Sequence, residues 1–335
     1  MASTGSCCQK GQIDMFGTAP DSLAIRKALR DAHARFASVN DGDNASYIPY
    51  LAKVPPSLFG LAVTTVDGQV FEVGDTRYEF AIESISKAFT LALVMEQVGP
   101  DEVRAKIGAD PTGMAFNSVQ AIELHGGKPL TPLVNAGAMA TVSLLKAGSA
   151  DERWQQLLAM YSRLAGRQLS LNREVYESEA ATNFHNRGIA WLLYSYGTMY
   201  SDPMEACDVY TKQCSVGVTA ADLATMGGTL AAGGINPVIK ARVVSEANVP
   251  HILAEMTMEG LYESSGDWAY QVGLPGKSGV GGGLVAVAPG VLAISAFSPP
   301  LDSVGNSVRG QQAIAYVASK LNLNVYVGQA AAVPA

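Results

Sequence analysis

The sequence predicts an α/β (α+β) fold: an antiparallel sheet built from both ends of the chain, flanked by terminal helices, plus an inserted all-helical lobe. Three observations lead there. A strand pair with an Asp67-Gly68 turn lies near the N-terminus, and a second apolar pair joined by Pro289-Gly290 lies near the C-terminus. An amphipathic helix stands outside each pair. Between the pairs, apolar residues recur at helical spacing, broken by turn signals such as Gly126-Gly127 and Gly233-Gly234.

Taken in order, residues 1–20 are polar and read as a flexible tail. Asp21-Ser22 caps a helix reaching about residue 38, with Leu23, Ile25, Ala28, Leu29, Ala32 and Phe36 as its apolar positions. Residues 60–66 form a strand, 69–73 return antiparallel, and 78–82 add a short strand before Ser84, where a helix starts. Helices are expected over 86–97, 101–107, 135–145, 151–165, 183–196, 203–214 and 220–232, then over 245–261. Strands at 284–288 and 291–297 complete the sheet, and 308–321 closes the chain as a helix. The expected units are therefore a discontinuous sheet lobe (21–83 and 245–330) and a helical lobe (84–244), with a small-ligand site in the cleft between them.

Composition narrows the function. The chain has 335 residues, 48% hydrophobic and 16% charged, enough for a large core without disulfide or metal. So low a charge suggests surface buried in an oligomer. Net charge is -7 without any Lys/Arg run, which disfavours nucleic acid and anionic membranes as partners. The N-terminus lacks a basic segment followed by an apolar one, as a signal peptide would need, and the longest apolar stretch, 284–297, is too short to span a bilayer. A cytoplasmic protein is expected. Cys7, Cys8, Cys207 and Cys214 show no disulfide or zinc spacing, and Cys207 and Cys214 read as small buried hydrophobes. His33, His125, His185 and His251 share no ligand spacing and read as structural.

The sharpest motif is Ser84-Ile85-Ser86-Lys87. Ser84 and Lys87 are one helical turn apart, so a neutral lysine amine could take the serine proton. Ser143-Leu144-Leu145-Lys146 has the same spacing but lies within an apolar helix and reads as structural. Ser84 instead follows a strand, where free backbone N–H groups could hold an oxyanion. The second motif is Lys277-Ser278-Gly279-Val280-Gly281-Gly282-Gly283, whose glycines allow close backbone approach. A strand follows it, not a helix, so it is no phosphate loop. Ser-x-x-Lys with a late Lys-Ser-Gly resembles serine β-lactamases and penicillin-binding proteins, which implies a serine β-lactamase-like fold. Nothing matches the deacylating Glu motif of class A β-lactamases, and Ser170-Leu171-Asn172 matches their third motif only at chance level.

Further strings resemble the serine-dependent glutaminase family, over about residues 47–309. They are Tyr47-Ile48-Pro49, Gly74-Asp75, Val134-Asn135-Ala136-Gly137, Ser178-Glu179 with Asn186-Arg187, Tyr210, Cys214-Ser215, Gly273-Leu274-Pro275, and Ser298-Pro299-Pro300-Leu301-Asp302 with Gly305-Asn306-Ser307-Val308. The chain looks closest to the short bacterial members. The resemblance implies hydrolysis of the L-glutamine side-chain amide, with Ser84 as nucleophile, Lys87 as base, and Ser84 and Val280 amides as oxyanion hole. Tyr262 or Tyr47 would assist deacylation, Glu179 would pair with the substrate ammonium, and Asn135, Asn186 and Tyr210 would hold the carboxylate end. It implies no cofactor or metal, and a homo-oligomer (dimer or tetramer). A penicillin-interacting hydrolase is the rival enzyme, and a non-catalytic amino-acid sensor on this fold the rival binder. One departure stands out: many family members have Gln before the nucleophile, and here it is Glu83. A carboxylate there cannot donate a hydrogen bond, so activity is expected to favour mildly acidic pH, unless Glu83 points away or pairs with a lysine.

Overall fold

The computed structural model describes residues 20–327, so Cys7, Cys8 and nearly all of the expected tail lie outside the described residues. In chain order the elements are α1 (Ser22–Phe36), β1 (Gly60–Thr65), β2 (Val70–Gly74), β3 (Phe80–Ala81), α2 (Ser86–Val98), α3 (Pro100–Lys106), α4 (Val119–Leu124), α5 (Asn135–Ser143) and α6 (Ala150–Ala165). They continue with β4 (Ser170–Leu171), α7 (Arg173–Thr182), α8 (Phe184–Ser195), α9 (Pro203–Cys214), β5 (Val216–Val218), α10 (Ala220–Ala231), β6 (Ile235–Asn236) and β7 (Ala241–Arg242). Last come α11 (Val249–Glu259), α12 (Ser265–Gln271), β8 (Gly276–Ser278), β9 (Gly283–Ala288), β10 (Leu292–Phe297) and α13 (Val308–Lys320).

The main sheet is antiparallel with order β2-β1-β10-β9-β8, so the two ends of the chain meet at β1 and β10, where Gly60 faces Phe297. Alternation sorts its side chains. Leu61, Val63, Leu284, Ala286, Ile294 and Ala296 pack with Ile25, Leu29, Ile314 and Val317 of α1 and α13. At about 1.5–3 kcal/mol for each large side chain, this layer dominates the lobe's stability. Asp21 starts α1 by accepting from the Ala24 amide, as the sequence predicts.

The opposite face carries Ala62, Val285, Val287 and Ala293 and joins the larger core. It is covered by α10, which lies inside the stretch assigned to the helical lobe. All twelve residues of α10 are buried, so it packs on the sheet on one side and on α6 on the other. Gly227 makes this approach possible: a Cβ there would stand 2.7 Å from Val285 Cγ2 and 2.8 Å from Ala293 Cβ.

Two other findings differ from expectation. The strand expected over 78–82 shrinks to Phe80–Ala81 and pairs with β5, not with the main sheet, in a small β3-β5-β4 sheet. The sequence reading also lacks α4, α7 and α12. Among the described residues no helix is long and apolar enough to cross a membrane.

Candidate active site

The Ser84 turn sits where the small sheet hands over to α2. Ile82 N–H donates to Val216 O (2.9 Å), and a 3-10 turn, Glu83–Ile85, then leads into α2, which starts at Ser86. Glu83 has φ +49°, left-handed backbone that a non-glycine residue adopts at a cost of about 1–3 kcal/mol. The Lys277 segment wraps this turn. A Cβ on Gly279 would lie 2.8 Å from Ile82 O, and one on Gly281 2.6 Å from Ala81 O. The glycines therefore serve an approach of the chain's own backbone. Among the described residues, neither the Ser84 nor the Val280 amide has a hydrogen-bond acceptor.

Both lysines are buried. Lys87 Nζ donates to Asn135 Oδ1 (2.7 Å), and burial pushes its pKa down to about 8. Nearby Cys214, Glu83, Glu179 and Glu259 oppose that shift. Lys277 is pushed well below the usual amine range, by burial first and the Lys87 charge second. Its Nζ donates to Gly260 O and Ser278 O, both at 2.9 Å, and a neutral amine has the two N–H groups this requires. The like charge of Lys87 thus acts on Lys277, whereas desolvation does the work at Lys87.

Tyr262 lies under the turn, buried, with φ +56°. Lys277 Nζ sits 4.4 Å from its ring centroid, and the Phe116 ring packs against it with centroids 4.6 Å apart and planes tilted by 37°. Its hydroxyl neighbours the Ser84 and Ser278 hydroxyls. None meets it in hydrogen-bond geometry, so the oxygen is left unpartnered. Burial raises its pKa, as it does for the hydroxyl of Tyr47, a residue 58% exposed at the rim.

A cavity of about 300 Å³ opens above Ser84. Tyr47, Ser84, Asn135, Glu179, Asn186, Tyr210 and Val280 all line it, together with Glu83. Lys87 lies one shell behind, through Asn135, and Tyr262 lies beneath, outside the lining set. Asn135 is the hub: its Oδ1 also accepts from Tyr210 OH (3.1 Å), and its Nδ2 donates to Asn186 Oδ1 (3.0 Å). Phe116, Asn117, Asn183 and His185 also line the cavity and were missed. His185 was expected to be structural; its Nε2 meets Asn117 O at 2.7 Å, tying two walls together. The spacing Glu179, Asn183, Asn186 across the α7–α8 junction was the signal available for Asn183. A larger hollow, about 610 Å³ between α1, α12 and α13, has no serine beside a buried amine.

The cavity floor is acidic. Glu83 Oε1 and Glu179 Oε2 are buried and unpartnered. Burial raises the Glu179 pKa to about 7, against the pull of Lys87. Glu83 is held well above the carboxylate range by burial first and by Glu179 second. Glu83 therefore faces the cleft, as its expected role requires.

An antiparallel sheet between terminal helices, a helical insertion, and a cavity at a Ser-x-x-Lys turn braced by Lys-Ser-Gly define the serine β-lactamase-like class. Within that class the chain belongs to the glutaminase family, whose family model matches residues 42–326. It is 62% identical over 312 residues to a glutaminase of Mycobacterium ulcerans (strain Agy99), covering 93% of this chain and 98% of that one. A solved structure described as probable glutaminase ybaS superposes with a TM-score of 0.91 at 60% identity, covering 92% of this chain and all of the other. A second, Mglu in its glutamate form, gives a TM-score of 0.87 at 37% identity, over 91% of this chain and 70% of that one. Family membership makes the protein an amidohydrolase.

Proposed function

We propose that the enzyme hydrolyses the side-chain amide of L-glutamine to L-glutamate and ammonia through a glutamyl ester on Ser84. The observation that carries this reading is a buried lysine of lowered pKa, one turn from a cavity-lining serine and hydrogen-bonded to a cavity-lining asparagine. Neutral Lys87 takes the Ser84 proton as Oγ attacks the carboxamide carbon. The Ser84 and Val280 amides receive the oxyanion. Lys87 passes its proton to the departing nitrogen, and ammonia leaves. Water then attacks the ester, its proton returning through Lys87 to Ser84. Tyr262 and Tyr47, both held protonated, assist as donors and relays, not as phenolate bases.

Substrate fit follows the same residues. Glu179 pairs with the α-ammonium. Asn186 and Tyr210 face the α-carboxylate, and Asn135 joins them to Lys87. With the α-carbon groups anchored, the shorter asparagine leaves its amide short of Ser84. Ammonia release from glutamine should exceed that from asparagine by at least about 100-fold in kcat/KM. Glu179→Gln should cost glutamine use about 2–4 kcal/mol in kcat/KM by stranding the ammonium. Equal turnover of the two amides would sink the substrate assignment. Turnover of nitrocefin in place of glutamine would restore the penicillin reading. A homo-oligomer is part of the proposal, supported by exposed Phe184, Trp191 and Tyr194 on α8, and light scattering measures it.

Glu83 is assigned a pH-dependent role here. It faces Glu179 on α7, Cys214 on α9, Lys87 on α2, and the hydroxyls of Tyr47 and Tyr262. A single anion suits a single ammonium, so the productive pair of carboxyls keeps one proton. Because the Glu83 pKa is raised, that proton persists as pH rises and is lost only through the raised value. Activity falls there. Lys87 imposes the opposite limb, since it must lose its proton through about 8. The two together give a bell, which modifies the simple acid preference expected from sequence. In Glu83→Gln the alkaline fall should vanish while the acid limb remains. An alkaline limb that does not move removes Glu83 from control.

A further inference from the structure

The cavity floor carries more ligand chemistry than an ammonium requires. Glu83 from the nucleophile turn, Glu179 from α7 and Cys214 from the end of α9 each bring an atom within 4.8 Å of the other two. Their exposures are 3%, 7% and 2%. Two of the converging side chains have a buried oxygen with no hydrogen-bond partner, Glu83 Oε1 and Glu179 Oε2, and both residues line the cavity. A substrate ammonium would satisfy Glu179. That contact does not itself use the Glu83 carboxyl or the Cys214 thiol.

Two carboxylates and a sulfur from three separate elements match the donor set of a borderline-soft divalent ion. Zinc takes oxygen at about 2.0–2.2 Å and sulfur at about 2.3 Å, which sets tetrahedral ligand atoms about 3.4–3.6 Å apart. The three atoms lie within 4.8 Å of one another, so zinc binding would draw them together by up to about 1.4 Å. Magnesium and calcium demand oxygen ligands throughout, so the sulfur discriminates against them. The expectation that Cys214 is only a small buried hydrophobe rests on sequence spacing, and its companions here are glutamates distant in sequence.

We propose that Glu83, Glu179 and Cys214 form an inhibitory site for Zn²⁺, which enters through the substrate cavity and displaces the substrate ammonium from Glu179. The ion binds two carboxylates and a thiolate, and the cavity side stays open for water as fourth ligand. The Cys214 thiol proton and the proton shared by the carboxyl pair are released to solvent on binding. The competitive character rests on the glutamine reading above; the metal site itself does not.

The test uses the full chain and Zn²⁺ itself. Glutamine turnover is measured across substrate concentrations at fixed free Zn²⁺. The expected result is an apparent KM that rises with Zn²⁺ while kcat stays constant, reversed by EDTA. Cys214→Ser should keep basal turnover within about threefold and weaken inhibition at least about tenfold, whereas Cys207→Ser should leave inhibition unchanged. As a direct readout, Co²⁺ added to wild type should give a thiolate-to-cobalt charge-transfer band in the near ultraviolet, absent in Cys214→Ser. Should Cys214→Ser unfold, Cys214→Ala carries the same comparison. Noncompetitive inhibition, inhibition untouched by the Cys214 substitutions, or no cobalt band overturns the proposal. A cobalt band in a protein that does not turn over glutamine would overturn the substrate reading and leave the metal site standing.

Discussion

Ser84→Ala should abolish ammonia release from glutamine, lowering kcat by at least about three orders of magnitude. The expectation comes from position. Ser84 alone among the serines near Lys87 lines the cavity, and its turn leaves an amide free beside that of Val280. Ser86 is the natural control. Its Oγ donates to Glu83 O (2.6 Å) and accepts from Gln213 Nε2 (3.2 Å), so it is spent on structure. Ser86→Ala should lower stability by about 1 kcal/mol and keep most of the activity. Ser143, the last residue of α5, likewise donates to Ala140 O and accepts from Tyr200 N, so it is structural as expected. In wild type, brief quenching with substrate should leave a glutamyl adduct on the peptide carrying Ser84, seen by mass spectrometry. More than a few per cent of wild-type rate in Ser84→Ala, or an adduct on another serine, would refute the covalent mechanism.

Local signals were strong enough to be read wherever a motif carries its own geometry. Ser84 and Lys87 share a helix face by spacing alone. Asp202 and Pro203 mark the start of α9, and the hairpin of β9 and β10 follows from two apolar runs around Pro289-Gly290. The illegible parts depend on distance. β4 and β5 are two or three residues each, too short for alternation to register, and the strand expected over 78–82 carries no signal that its partner is β5 and not the main sheet. α7 buries only Val175 and Glu179, so it has little apolar stripe to detect. Phe116, Asn117 and His185 reach the cavity from a loop and a helix start that no spacing rule connects to Ser84. α10 looked like one more bundle helix because a helix apolar all round gives no direction; only its glycines hint at a close neighbour.

Lys87→Met and Lys87→Arg should both lose at least about three orders of magnitude in kcat/KM, for different reasons that together identify the base. Methionine keeps the length of the stem and removes the amine. Tyr210 still holds Asn135 Oδ1, so the cavity wall should survive and the melting temperature change little. Arginine keeps a positive charge but does not deprotonate in a protein. If Lys87 acted only as a fixed cation steering the oxyanion or the substrate carboxylate, arginine would rescue much of the rate. The structure argues for a proton carrier. Burial lowers the Lys87 pKa to about 8, so at pH 7 about a tenth of it is already neutral and able to take the serine proton as the C–O bond forms, and its protonated form is acidic enough to protonate the departing nitrogen. The pH profile supplies the decisive sign. Lowering of the lysine pKa brings the neutral form within reach at moderate pH, so wild-type kcat/KM should climb as pH rises through about 8 before any alkaline fall. The residual activity of Lys87→Met should lack that climb, since the group that produced it is gone. A Lys87→Arg enzyme with more than about a tenth of wild-type kcat/KM, or a Lys87→Met profile that still rises through the same range, would assign the base elsewhere.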